Sequence, residues 1–109
     1  MIHSVFTRRG EQITGFSLTG HAGFGEHGQD IVCASVSSAA LMAANTITEV
    51  ISAKALTSQR DGYLTLRLRE ESDACQIVLL GLLLHLSEIE KQYPAHLKVS
   101  FARGSHKKG

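Results

Sequence analysis

Hydrophobic and polar positions along the 109-residue chain follow two periods, and the switch between them marks the elements. Residues 2–8 and 12–19 are rich in β-branched and aromatic side chains with partial alternation. Arg9-Gly10-Glu11 between them is a turn signal, so this stretch predicts a hairpin. Residues 63–69 alternate cleanly, with Leu64, Leu66 and Leu68 on one side and Tyr63, Thr65, Arg67 and Arg69 on the other. That is the pattern of a sheet buried on one face, its arginines solvated on the open one. Leu97, Val99 and Phe101 repeat it near the end.

Two helices fit between the strands. The first is expected from about Ile31 to Ala53, Ala-rich, with Val32, Val36, Ala39, Ala40, Ala43, Ile47, Val50 and Ile51 along one broad stripe. The second is expected from about Asp73 to Tyr93, stopping before Pro94, because the residue preceding proline disfavours helix. Its first half is apolar nearly all round, which either a dimer interface or deep packing on the sheet would explain. The expected order is ββαβαβ in a single domain spanning 1–109. Both helices cover one face of a four-stranded mixed sheet, giving an α/β (α+β) two-layer sandwich.

Composition narrows the function classes. With 43% hydrophobic and 19% charged residues and a net charge of +1, nothing global points to nucleic acid or a membrane surface. The basic tail His106-Lys107-Lys108 is a local exception that reads as a solvated terminus. The longest uninterrupted apolar run, residues 77–84, is far short of the roughly 20 residues that span a bilayer. The start of the chain reads as a strand, not as a leader. Two cysteines in such a chain are expected as free thiols in the reducing cytoplasm.

The unusual segment runs from Gly20 to Cys33, where four glycines and several polar groups crowd the entrance of the first helix. Gly23, Gly25 and Gly28 spell G-x-G-x-x-G, but the acid about 20 residues on, Glu49, falls inside the helix instead of at a strand end, and no second nucleotide-binding half follows. His21, His27, Asp30 and Cys33 are four metal-ligand types at a spacing that no common zinc pattern shares. A cysteine near a helix start is also often a small hydrophobe and nothing more. The remaining reading is a nucleophilic thiol. A helix start favours the thiolate, Asp30 would cap the helix and place Cys33 at its third position, and His21, at the end of the preceding strand, would move the proton. Ser37, one turn beyond Cys33, faces the same way. His27 reads as solvated or touching substrate, Cys75 as a buried thiol, and His85 as a core histidine.

Gly20-His21-Ala22, then Gly28-Gln29-Asp30-Ile31-Val32-Cys33-Ala34 with Val36-Ser37, resembles the signature of the Prp family of ribosomal-processing cysteine proteases. The resemblance covers essentially the whole chain. It implies a cysteine endopeptidase without cofactor or metal, working as a homodimer. Its implied substrate is the N-terminal extension of large-subunit ribosomal protein twenty-seven, with no direct contact to nucleic acid or membrane. Carried across by motif position, Cys33 is the nucleophile and His21 its partner, with Asp30 and Ser37 in support. Gly20, Ala22, Gly23, Phe24, Gly25, His27 and Gly28 form a loop over the peptide. The alternative is a non-enzymatic factor that grips the ribosome or one of its proteins.

Overall fold

The computed structural model describes residues 1–20 and 29–104, with the side chains of Gln29 and Asp30 left aside. The expected hairpin is there, with β1 (Ile2–Arg9) and β2 (Gln12–Thr19) antiparallel. Its turn is taken at Gly10, whose φ of 64° suits a residue without Cβ. Phe6 pairs with Phe16 across the strands, both buried, and the alternate positions Val5 and Ser17 face away from the core.

The sheet has five strands, not four. The additional strand, β3 (Ala55–Arg60), forms a hairpin with β4 (Tyr63–Leu68) through Asp61-Gly62, so the order is ββαββαβ instead of ββαβαβ. The strands lie in the order β3-β4-β2-β1-β5, where β5 (Leu97–Arg103) runs parallel to β1 and every other pair is antiparallel. β3 is an edge strand whose residues are exposed apart from the half-buried Ala55. It buries too little to leave an alternating pattern in the sequence, although Asp-Gly is among the stronger hairpin signals.

The first helix, α1 (Gln29–Asn45), begins earlier and ends sooner than expected. Its last stretch, Thr46–Val50, is a π turn, and Ser52 at φ 61° stops it. The apolar stripe continues through the π turn to Ile47, which is why periodicity alone ran the helix on to Ala53. By length and composition Ile31–Val50 could cross a membrane, a stretch that uninterrupted apolar runs overlook. Here Val32, Val36, Ala40, Ala43 and Ile47 are buried in one core with the strands. The second helix, α2 (Asp73–Gln92), matches expectation; Ser72 caps it, its hydroxyl accepting from the Cys75 N–H at 3.1 Å. Leu79 and Leu86 are fully buried, and the Gln76 side chain bonds both Ile13 N (2.9 Å) and Ile13 O (2.7 Å), fixing α2 on β2.

Leu64, Leu66, Phe6 and Leu97 point into this core. Tyr63, Thr65 and Arg67 lie on the other side, so one sheet face remains open. Ser4, fully buried on β1, has a hydroxyl with no hydrogen-bond partner among the described residues.

Candidate active site

A cleft of about 510 Å³ opens where the end of β2, the start of β1, the front of α1 and the β3–β4 turn converge. Its floor is apolar, made by Ile2, Leu18 and Leu64 with Val36 and Leu41 of α1. Cys33 and Ser37 reach it from α1, one helical turn apart and on one face, as their spacing required. Cys33 is a free thiol, half-buried, whereas Cys75, also free, is fully buried. Exposure therefore separates the two cysteines where position in a first turn did not.

α1 starts at Gln29, so Asp30 is inside the first turn, not at the capping position, and Cys33 is the fifth helical residue instead of the third. Cα–Cβ bonds lean toward a helix N-terminus, so the Cys33 side chain still leans toward the end whose N–H groups have no partner within the helix. Gly20 closes the other side of the cleft. Its φ is 109°, its N–H donates to Gly62 O at 3.1 Å, and an added Cβ would stand 2.5 Å from Met1 O. Glycine is required there because the chain passes against the β1 backbone as it leaves β2.

Of the residues singled out from sequence, Cys33, Ser37 and Gly20 come together at the cleft. His21, Ala22, Gly23, Phe24, Gly25, His27 and Gly28 lie outside the described residues, as does the basic tail. Among the described residues no group of three or more His, Cys, Asp or Glu side chains gathers in metal-binding geometry. His85 is exposed, not in the core, and lines a second groove between α1 and α2 together with Ser35 and Ser38. Sequence reasoning missed the cleft's outer wall, Gln59 to Tyr63, because it missed β3. There the Arg60 guanidinium lies 4.4 Å from the Tyr63 ring centroid, a cation–π contact that holds the arginine on its own hairpin.

A thiol and a hydroxyl over a cleft with an apolar floor are what the site of this small α+β protein offers. The comparisons make that specific. The family model described as Cysteine protease Prp matches residues 1–98. The Ribosomal processing cysteine protease Prp of Bacillus subtilis (strain 168) is 32% identical over 108 residues, covering 92% of this chain and 96% of the relative. The protein of the same name from Staphylococcus aureus (strain Mu50 / ATCC 700699) is 29% identical over 93 residues, 83% of this chain and 88% of the relative. Two solved structures of the essential ribosomal processing protease Prp from S. aureus superpose closely, each 28% identical and covering 94% of this chain and all of theirs. One, in complex with a substrate peptide, has a TM-score of 0.87; the other, with a covalently linked product peptide, has 0.83. The chain belongs to the Prp family of cysteine proteases.

Proposed function

We propose that the chain is an endopeptidase that removes the N-terminal extension of large-subunit ribosomal protein twenty-seven, with Cys33 as nucleophile and His21 as its proton partner. The observation that carries this is the half-buried Cys33 opening, with Ser37, onto an apolar cleft in a chain of this family. Its relatives are named for ribosomal processing, and one is solved with a covalently linked product peptide.

In the proposed reaction the Cys33 Sγ, as thiolate, adds to the scissile carbonyl carbon while His21 holds the proton. Collapse of the tetrahedral intermediate breaks the C–N bond, His21 gives that proton to the departing amine, and a thioester remains. Water then adds to the thioester, its proton passing to His21; the C–S bond breaks, and thiolate and a new carboxylate result. Backbone N–H groups near the start of α1 would hold the oxyanion. Ser37 and Asp30 support the site, and the segment from Gly20 to Gly28 covers the peptide. A free thiol suits action in the reducing cytoplasm.

The apolar residues Ile77, Leu80 and Leu84 are exposed at helical spacing on α2, beside an α1–α2 groove of about 660 Å³ that Met42 lines. This is the surface we assign to a homodimer.

The test is mass spectrometry of the precursor ribosomal protein before and after incubation with the enzyme. Cleavage should vanish with Cys33→Ala and fall about 10²- to 10⁴-fold with His21→Ala. Full cleavage by Cys33→Ala would remove the assignment. Stable association with mature ribosomes and no cleavage would favour a binding factor instead.

A further inference from the structure

The five strands contain six basic residues, Arg8, Arg9, Arg60, Arg67, Lys98 and Arg103, and no aspartate or glutamate. The helical layer is the reverse: α1, the π turn and α2 contain Asp30, Glu49, Asp73, Glu88 and Glu90 against Lys91 alone. The turns and connections of the sheet add Glu11, Asp61, Glu70 and Glu71 against Lys54 and Arg69, so a net charge of +1 conceals a partial separation, with basic strands and acidic helices.

Strand register shows which bases share the open face. His3 is opposite Lys98 and Thr19, Ser17 and Ser58 are both opposite Thr65, and Arg67 is opposite Gly15 and Leu56. Arg60 is opposite Tyr63, and Arg9 closes the β1–β2 end opposite Gln12. The five cationic or titratable groups on this face, His3, Arg9, Arg60, Arg67 and Lys98, are all exposed. They stand on β1, β3, β4 and β5, across roughly 19 Å at about 4.8 Å per strand step. So wide a spread suits a polyanion better than a single anion.

The face also carries a depression of about 330 Å³ beside Gly15, lined by Thr7, Ser17, Ser58, Thr65 and Arg67. Four hydroxyls and a guanidinium around a notch in the sheet are the donors that phosphodiester oxygens and ribose hydroxyls accept from. Among the described residues Leu56, which also lines the depression, is the one large exposed hydrophobe on this face, too little to insert into a bilayer.

We infer that the open sheet face docks on the phosphate backbone of RNA, with one phosphate seated in the depression beside Gly15. The choice of RNA over other polyanions rests on the ribosomal-processing reading above; the polyanion chemistry does not. Cys33 and the cleft floor lie on the helical side of the sheet, Arg60 and Tyr63 stand on the rim between the two, and the depression beside Gly15 shares no residue with the cleft, so the enzyme can hold RNA and peptide at once.

The test is fluorescence anisotropy of a labelled single-stranded RNA of about 20 nucleotides with the full chain, from about 20 to 200 mM salt. Four cations predict a slope of log K against log salt of about −3. The combined variant Arg9→Gln, Arg67→Gln, Lys98→Gln should bind about 100-fold more weakly, with a slope near −1. Lys91→Gln, on the helical layer, should bind as the parent does. Arg67→Glu alone should weaken binding more than Arg67→Gln, which guards against misreading a poorly folded triple variant. No binding by the parent at about 50 mM salt overturns the inference, as does equal binding by the triple variant, or binding to anionic phospholipid vesicles but not to RNA. Cleavage of a free precursor peptide is read in parallel and should be unchanged in the triple variant. RNA binding without cleavage thus counts against the protease reading alone, and cleavage without RNA binding against the docking surface alone.

Discussion

Gly20→Ala is the most informative single substitution in the cleft. Gly20 sits at φ 109°, far from the left-handed well that other residues visit, and an alanine Cβ would meet Met1 O at 2.5 Å and Ile2 Cα at 3.2 Å. Holding an L-residue in such a region costs about 1–3 kcal/mol before any collision is relieved. The collision is with backbone, so it cannot be relieved by turning a side chain; β1 or the exit from β2 must move. Taking about 2 kcal/mol as the total, and about 4–8 °C per kcal/mol for a domain of this size, the thermal midpoint should fall by about 8–16 °C. The same movement shifts the Gly20 N–H away from Gly62 O, loosening the β3–β4 turn that walls the cleft. A misplacement of about 1 Å in an active site can cost about 10²-fold in rate, so kcat/KM on a precursor peptide should fall by that order even below the new midpoint. Circular dichroism melts and peptide cleavage measure the two effects. A variant melting within about 2 °C of the parent with full activity would refute the argument that this position must lack a Cβ.

Three further outcomes follow from the packing. Gln76→Leu removes both hydrogen bonds to Ile13 and leaves that half-buried backbone pair unsatisfied, which should cost about 2 kcal/mol in urea unfolding; a change under about 0.5 kcal/mol would show that α2 does not depend on this anchor. Ser4→Ala deletes a buried hydroxyl without a partner among the described residues, so the melting midpoint should hold or rise, and a fall beyond about 5 °C would mean that the hydroxyl is satisfied after all. Leu80→Glu with Leu84→Glu places charge on the exposed α2 stripe assigned to a homodimer; in sedimentation the parent should run as a dimer and the variant as a monomer, and a parent that runs as a monomer would remove the assignment.

How much of this could be seen in the sequence depended on how much each element buries. β1, β2 and β4 send alternate side chains into the core and their periods were legible; β5 buries Leu97 and half-buries Val99 but leaves Phe101 exposed. β3 buries almost nothing, so only Asp61-Gly62 announced it, and the cleft's outer wall was missed with it. Cys33 and Ser37 were placed on one face by helical spacing alone. What spacing could not give was the start of α1, two residues before the expected first turn, which changes the standing of Asp30 from cap to helical residue. Hydrophobic periodicity also cannot tell an α turn from the π turn at Thr46–Val50, since both keep Ile47 inward. Charge totals were the least informative quantity, because the strands carry bases without acids and the helices acids almost without bases.

The parallel pairing of β1 with β5 has a consequence in time. Ile2 is opposite Leu97, 95 positions along the chain, and its N–H donates to His96 O at 2.9 Å. Ile2 is also part of the cleft floor. At about 5–20 residues per second of synthesis, roughly 5–20 s separate the emergence of that residue from the arrival of the strand that fixes it. Contacts of such sequence separation also form late in folding. The trough beneath Cys33 is therefore among the last features to take shape, and a nascent chain carries the thiol without the floor that would present a peptide to it.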